Sequence, residues 1–384
     1  MFYIKGYIQR IINHYFKNKE MNQLYTSVTI KALAESLIMI FVPIYLYNLG
    51  FGISAIALYY LIYFASVFVF QYFLMNLNYL LGLKKVLSLG TFVLIVYYLL
   101  LNYLSQGYIH YSFAALTFGL SVALYYSAFH IYFSEYSDNK REASQFSIVT
   151  SLISLATIVG PVVGAFFITN LSFSILSFIV AFLLLISTVP LFYTKDKKIK
   201  KPEISIKNIL KADTKRKAIA YNAAGILSIS TSIFWPLFIF IILKSVLSLG
   251  IIISVTSLFV VIAIVVIGRL SDKHKGKVLK LGVSSHALSW ILRLLFLTPI
   301  GFFIMNLFSS ISSLLIDISF SKYIYEKSKK SKNIANYFLF RELNLLTGRI
   351  AVLLIAIFTG SIYWTFILAF FVTFLHFVLL YDKK

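Results

Sequence analysis

The sequence lacks cysteine and is poor in charge, above all in acidic charge. Only 12% of its 384 residues are charged, and 13 residues are acidic. Without cysteine, the chain forms no disulfide, no thiolate metal site and no cysteine nucleophile. None of the six histidines has a partner at the spacing of metal ligands. The sequence therefore predicts neither a metal site nor a cofactor.

What the sequence has in excess is apolar surface. Hydrophobic residues make up 60% of the chain, and the mean hydropathy is +0.88. A globular core cannot bury so much, so the lipid bilayer is the expected solvent. A helix needs about 20 apolar residues to cross a bilayer. Twelve such stretches are predicted, at 25–48, 54–76, 84–104, 108–133, 142–168, 171–193, 218–243, 247–268, 279–298, 301–321, 334–358 and 361–381.

Basic residues are confined almost entirely to alternate connections. They follow predicted helices 2, 4, 6, 8 and 10 and end the chain, whereas Lys244 is the only basic residue in the intervening connections. Because Lys and Arg in short loops stay on the cytoplasmic side, both termini are predicted to be cytoplasmic in a multi-pass protein of the inner or plasma membrane. This topology explains the net charge of +22, so nucleic acid is not an expected partner.

Two short matches indicate an internal repeat. Residues Lys85–Gly90 match Lys277–Gly282 at an offset of 192, and Phe41–Ile44 match Phe234–Leu237 at an offset of 193. Near-equal offsets in a chain of twice that length predict two parallel halves.

The predicted organisation has four parts. Residues 1–24 form a cytoplasmic segment, either a helix lying on the membrane surface or a frayed tail. Residues 25–193 form the first six-helix bundle, 194–217 a basic cytoplasmic linker, and 218–384 the second six-helix bundle.

This organisation resembles the major facilitator superfamily over nearly the whole chain. The resemblance implies an all-α membrane protein with twelve transmembrane helices in two six-helix halves related by pseudo-two-fold symmetry. Residues Gly268–Lys277 resemble the family's loop signature of a glycine, an acid, a base and further bases, with the glycine one position late. The corresponding first-half loop keeps Gly82, Lys84 and Lys85, but Tyr79 stands in place of the acid.

The loop signature implies a gate at the cytoplasmic end of helix 8. Its residues are Gly268, Arg269, Asp272 and Lys273, with Arg141 at the start of helix 5. The carboxylate of Asp272 is expected to lie against the positive N-terminus of helix 5 and hold that side shut. In the alternative interpretation, Asp272 and its neighbours only solvate a tight turn.

In helix 5, Gly160, Pro161 and Gly164 resemble a Gly-Pro-x-x-Gly motif that the family carries most often in proton-driven exporters. Glycines allow close approach of a neighbouring helix, and proline bends its own helix. Ala156 and Ala165 stand where the fuller motif has glycine. The motif indicates either antiport or packing alone.

Ionisable side chains inside a membrane are expensive, so each is a candidate functional residue. Lys31 and Glu35 lie four residues apart on one helix face. In the family, helices 1, 4, 7 and 10 line the cavity, which implies that Glu35 and Asp317 face it from opposite halves. Glu35 is the first candidate for a proton carrier. The alternative is a static pair between Lys31 and Glu35.

Helix 11 carries the other intramembrane charges. Glu342 and Arg349 are seven residues apart and share a face. Arg349 is expected to attract an anionic substrate or to neutralise Asp317 or Glu342. Arg341 is expected to reach the inner surface, and Arg293 of helix 9 the lipid headgroups or a neighbouring helix. Candidate aromatic residues for a site that takes ring-bearing solutes are Tyr59, Tyr60, Tyr63, Tyr125, Tyr126 and Trp235.

The sequence favours a secondary transporter over an enzyme, because no catalytic acid pair, metal-binding histidine cluster or activated serine is recognisable. The leading hypothesis is proton-coupled efflux, by an antiporter, of a small amphipathic compound through alternating access. The expected partners are a small-molecule substrate, protons and the lipid bilayer, and the expected state is a monomer. An uptake symporter, a facilitator of the same fold and a non-transporting sensor remain alternatives.

Overall fold

The structure, a computed structural model, describes residues 18–138, 142–196, 205–330 and 334–381. Inside these ranges, some helical side chains are outside the description, namely those of residues 142–144, 146, 147, 265, 266, 268–275, 319, 321–330, 334 and 335. The described residues form helices and turns, with no strand among them.

Twelve membrane helices, α1–α12, follow one another along the chain. Their bounds are Lys19–Asn48 (α1), Ile53–Leu74 (α2), Leu83–Ser105 (α3), Tyr111–Tyr136 (α4), Glu142–Asn170 (α5), Phe173–Phe192 (α6), Lys215–Leu243 (α7), Val246–Ile264 (α8), 276–292 (α9), Pro299–Lys330 (α10), Ile334–Thr359 (α11) and Tyr363–Leu380 (α12). Among the described residues, eleven of these helices are long and apolar enough to cross a membrane. The twelfth helix, α9, is not one of those eleven.

The connection between α8 and α9 differs from the prediction. A loop was expected at 269–278, but the backbone is helical without interruption over Val246–Leu292. A straight helix of that length would extend about 70 Å. Instead the chain turns back, because both arms pack on α10: Phe259 of α8 contacts Phe303, and Gly282 of α9 lies against Leu315. The two arms therefore cross the bilayer in opposite directions.

Polar side chains mark where several helices begin. Asn18, Ser172 and Ser245 accept hydrogen bonds from backbone amides three residues later, at the starts of α1, α6 and α8. Such caps satisfy amides that have no partner in the first turn. Of the predicted segment 1–24, residues 1–17 lie outside the described part of the chain, and 19–24 belong to α1.

The helices form two six-helix halves that pack along two seams. In one seam α5 packs against α8, and in the other α2 packs against α11. The largest core cluster contains side chains of both halves, including Phe41 and Ile44 of α1 and Trp235 and Phe238 of α7. The halves therefore share a buried apolar contact, and each also has a smaller cluster of its own.

One end of the bundle collects the basic connections, and we call it the basic face. It contains residues 75–84, 136–138, 193–196, 205–214 and the end of α12. Asn18 is bonded to Tyr136 there, and Ile209 packs with Met75 and Leu339. The connections 49–52, 105–110 and 360–362 lie at the opposite face.

A buried lysine ties the first half together at the basic face. The ammonium group of Lys84 is 3.0 Å from Gln23 Oε1 of α1 and 3.0 Å from the carbonyl oxygen of Thr194. The carboxylate of Asp196 accepts a hydrogen bond of 2.8 Å from the backbone amide of Lys84. Gly82, with φ of 92°, lets the chain turn tightly into α3 beside this carboxylate.

Asp196 therefore brings an acid to the loop in which Tyr79 replaces the family's acid. Asp196→Ala is expected to lower the stability of the purified protein by about 1 kcal/mol, because the first turn of α3 loses its cap. Lys195→Ala is the control, since Lys195 is an exposed neighbour. Thermal unfolding in detergent measures the difference, and equal melting of the two variants would contradict this role.

Candidate functional site

A cavity of about 630 Å³ lies between the two halves. The first half contributes residues of α1 to α5, and the second half contributes residues of α7, α8 and α10. The position between two halves is where alternating access places a substrate site.

The internal repeat recognised in the sequence lies on both sides of this cavity. Pro43 in α1 follows a 3₁₀ turn at Met39–Phe41, and Pro236 in α7 follows a π turn at Ser230–Phe234. Proline has no amide hydrogen and interrupts the regular helical bonding before it. Met39, Ile40, Thr231 and Ser232 of these irregular turns line the cavity. The repeat thus places a break in the backbone at the same depth on each wall.

The first half presents an aromatic wall. The rings of Tyr63 and Phe118 stack at 4.2 Å between centroids, and Phe118 stacks on Tyr97 at 4.4 Å. The hydroxyl of Tyr59 donates a hydrogen bond of 2.8 Å to the hydroxyl of Tyr97. Tyr60, Tyr63, Phe64, Tyr97 and Phe118 line the cavity, whereas Tyr59 lies behind them. Locked, stacked rings offer a rigid apolar surface to a flat solute.

The second half presents a polar wall. Trp235 donates a hydrogen bond of 2.9 Å from its indole nitrogen to Asn306 Oδ1. Around this pair stand hydroxyl groups of Thr231, Ser232, Thr256, Ser257, Ser310 and Ser313. The hydroxyl of Thr256 is buried without a hydrogen-bond partner. This wall therefore holds donors and acceptors for a polar part of a solute.

Asp317 is the single charged residue among the described residues that line the cavity. It is exposed and lies in the part of α10 nearer the basic face. No ion pair or hydrogen bond joins its carboxylate to another described residue. Its carboxylate is therefore part of the cavity wall.

Lys31 and Glu35 form an ion pair on α1. The distance from Lys31 Nζ to Glu35 Oε2 is 2.6 Å, and the side chains are 6% and 20% exposed. The ammonium group also lies 4.2 Å from the centre of the Tyr125 ring on α4. Of the described residues around the cavity, neither Lys31 nor Glu35 is in its lining. The structure thus separates Glu35 from Asp317, which the resemblance had placed in one site.

The charges of α11 form a second cluster at the seam with α2. Arg349 pairs with Glu342 at 3.3 Å, and Arg341 approaches the same carboxylate at 3.6 Å. The guanidinium of Arg349 lies 4.6 Å from the centre of the Phe64 ring of α2. Of the two acids considered from the sequence, Glu342 is therefore the one beside Arg349. Phe64 also lines the cavity, so this cluster stands directly behind the aromatic wall.

The residues of the expected gate are largely outside the described part of the molecule. Gly268, Arg269, Asp272 and Lys273 have helical backbone, but their side chains are not described, and Arg141 is outside the described ranges. The backbone there is helical where the chain turns back, and both interpretations of Asp272, as a gate and as a residue that only solvates the turn, stay predictions.

The glycines of the α5 motif lie where α5 meets α1. A Cβ atom at Gly160 would overlap Ser36, and one at Gly164 would overlap the carbonyl oxygen of Leu37. On the other side of α5, the amide of Val162 donates a hydrogen bond of 3.0 Å to Ser254 Oγ of α8. Pro161, which disturbs the bonding of its own helix, thus stands beside a bond that crosses between the halves.

Gly164→Ala is expected to lower the stability of the protein by about 1–3 kcal/mol, the usual cost of overpacking. The atom it meets is a backbone carbonyl, which cannot rotate away as a side chain does. Gly52→Ala is the matched control, because a Cβ there meets no atom within 4 Å. Thermal unfolding of both variants in detergent tests the prediction, and unchanged melting of Gly164→Ala would overturn it.

Several lining residues were not recognised in the sequence. Tyr97, Phe118 and Asn306 have no distinguishing pattern in a chain that is 17% aromatic. Whether these residues line the cavity depends on which face of each helix points inward, and the helices are apolar on nearly all faces. The one sequence signal for the cavity was the repeat that contains Pro43 and Pro236, because irregular turns that line the cavity precede these prolines.

Comparisons with known proteins agree with this geometry. The model of the Major Facilitator Superfamily matches residues 24–223. A crystal structure of a POT family transporter in complex with 5-aminolevulinic acid is similar, with a TM-score of 0.70 and 13% identity, over 94% of this chain and 95% of that one. The crystal structure of the nucleoside transporter NupG has a TM-score of 0.69 and 13% identity, over 95% of this chain and 100% of that one. No curated protein matches the sequence.

Proposed function

Because this chain belongs to the major facilitator superfamily and is a transporter, not an enzyme, we propose that it exports a small amphipathic compound in exchange for protons. Transport occurs by alternating access, in which the two halves rock around the shared cavity. One observation carries the proposal: among its described lining residues, the cavity combines a stacked aromatic wall with one carboxylate.

The composition of the cavity supports a solute with an apolar ring and a polar or cationic group. Tyr63, Phe118 and Tyr97 match the ring, the hydroxyls and Asn306 match polar atoms, and Asp317 matches a positive charge. With no basic side chain among the described lining residues, an anionic solute would find no counter-ion there. One similar structure is described as a POT family transporter in complex with 5-aminolevulinic acid and another as a nucleoside transporter, and molecules of that size are compatible with a cavity of about 630 Å³.

Proton coupling requires a carboxylate that alternates between charged and neutral states. In the proposal, Asp317 holds either the solute's cation or a proton, so that loading one releases the other. Glu35, the first candidate from the sequence, is proposed as a proton carrier, because a proton on its carboxylate would release Lys31, which already lies 4.2 Å from the centre of the Tyr125 ring. The cluster of Arg349 and Glu342 next to Phe64 holds α11 against α2 behind the site.

The proposed topology follows from the basic face. We propose that the protein lies in the inner or plasma membrane with the basic face and both termini in the cytoplasm. The linker 194–217, which joins the bundles 25–193 and 218–384, is on the same side. The same proposal assigns the gate residues Gly268, Arg269, Asp272, Lys273 and Arg141 to the cytoplasmic side. The functional unit proposed is the monomer, since one chain supplies all the described lining residues of the cavity.

A flux measurement in proteoliposomes tests the function. When a pH gradient is imposed, vesicles that contain the protein are expected to move protons down that gradient and a fluorescent, ring-bearing amine in the opposite direction. Vesicles with the gradient collapsed by an ionophore are the control. Movement of amine and protons in the same direction would identify a symporter, movement that ignores the gradient a facilitator, and the absence of any flux a sensor.

A further inference from the structure

A fully buried arginine in the second half has no part in the proposed transport chemistry. Arg293 follows the last residue of α9 and is 1% exposed. Its guanidinium lies between two indole rings, 4.3 Å from the centre of Trp235 and 4.1 Å from that of Trp290. One of its nitrogens, Nη2, donates a hydrogen bond to the hydroxyl of Ser309 on α10. Of the two positions expected for Arg293, its side chain thus takes the one against neighbouring helices, and it points into the interior of the bundle.

The guanidinium lies deep in the membrane. Ser309 is ten residues after Pro299, where α10 begins at the opposite face. At about 1.5 Å per residue this is about 15 Å along the helix, or half of a hydrocarbon layer about 30 Å thick. A cation at that depth costs several kcal/mol unless another group compensates its charge.

The described residues do not supply that compensation. No Asp or Glu among them pairs with Arg293, and its Nε and Nη1 are buried without a hydrogen-bond partner. The indole rings attract the cation through their faces, but ring faces do not satisfy the in-plane N–H groups. The C-terminal end of α9 adds only a partial negative charge.

A second donor near this guanidinium is also unpaired. The indole nitrogen of Trp290 is buried without a partner, and the Trp290 ring is in contact with Arg293. His286 of α9 faces the same Ser309 hydroxyl, with its Nδ1 at 3.4 Å. The cluster is thus rich in unsatisfied donors and poor in acceptors. A ligand that fits such a site is an acceptor with negative charge.

We propose that Arg293, Trp290 and Ser309 form a binding site for a small monovalent anion, such as chloride. The anion accepts hydrogen bonds from the free N–H groups and neutralises the buried guanidinium. Trp235, which covers the guanidinium on its other side, lines the transport cavity and bonds Asn306. The anion therefore supports the position of one wall of the cavity without touching the transported solute.

Anion dependence of the purified full-length protein tests the site. We expect the melting temperature to rise saturably with sodium chloride, and to stay constant with sodium gluconate at equal ionic strength, because gluconate is too large for a buried site. A melting temperature that rises with chloride but not with acetate identifies an inorganic anion as the ligand. A rise with both identifies a site that also takes carboxylates.

Tryptophan fluorescence gives a second measurement. The chain has three tryptophans, and Trp364 is exposed, so Trp364→Phe leaves the two indoles that contact Arg293. Iodide is expected to quench this variant along a saturation curve. Quenching that grows linearly with iodide would indicate random collision and would count against the site.

Arg293→Met is expected to abolish the chloride dependence and to melt higher than the unchanged protein in gluconate, since it removes an uncompensated buried charge. Lys244→Met, which removes an exposed cation, is the control and should keep the dependence. Should Arg293→Met fail to fold, the titrations of the unchanged protein and of Trp364→Phe decide. Equal melting in chloride, acetate and gluconate, or full chloride dependence in Arg293→Met, would overturn the proposal.

Discussion

Asp317→Asn is expected to abolish pH-driven transport of a cationic solute by the protein in liposomes. The substitution removes the one negative charge on the described cavity surface while it keeps the size of the side chain. Losing a charge-assisted contact costs about 1.5–3 kcal/mol, which corresponds to roughly 10- to 150-fold in affinity. Binding of the solute to purified protein and flux in vesicles measure the two effects separately.

The control for Asp317→Asn is Glu135→Gln, which removes an exposed carboxylate at the end of α4. It should transport at the unchanged rate. Asp317→Glu keeps the charge and is expected to retain part of the activity. Normal pH-driven flux in Asp317→Asn would show that the cavity carboxylate has no role in coupling.

Glu35→Gln is expected to uncouple the protein, so that solute moves down its own gradient but no longer responds to a pH gradient. Glutamine cannot release a proton, and Lys31 keeps its charge against the Tyr125 ring. Breaking a buried ion pair also destabilises a protein. The partial exposure of Glu35, at 20%, reduces that cost.

The double variant Lys31→Met/Glu35→Gln separates coupling from a static pair. It removes both charges, so no unpaired ion remains inside α1. If the pair only stabilises the helix, the double variant should regain pH-driven transport. If Glu35 carries protons, the double variant should be as stable as the unchanged protein yet remain uncoupled, and proton flux recorded with a pH-sensitive dye distinguishes the two results.

The local features were predictable because they depend on short stretches of chain. The span of each helix follows from the length of its apolar stretch, and the glycines of the α5 motif occur where α1 approaches closely. The prediction was wrong between α8 and α9, where no proline or glycine-rich turn stops the helix before it bends. There, packing of both arms on α10 reverses the chain.

The candidate site was harder to predict, as Glu35 and Asp317 show. Both are acids inside apolar helices, and only the rotation of each helix decides which one meets the cavity. Asp196 was not considered for the loop before α3, because 112 residues separate it from the amide that it caps. Arg293 was expected near a surface or a neighbouring helix, and its contacts with Trp235 and Ser309 depend on three helices at once.

The sequence alone determined that this is a twelve-helix membrane protein in two halves, because the length of each apolar stretch and the segments repeated at near-equal offsets are properties of the chain itself. Only the tertiary structure decided which charges are paired, which one lines the cavity and which one is left buried without a counter-ion. The physical reason is that a helix apolar on all sides fits a bilayer in any rotation. Contacts between helices, distant in sequence, select one rotation and with it the chemistry of the site.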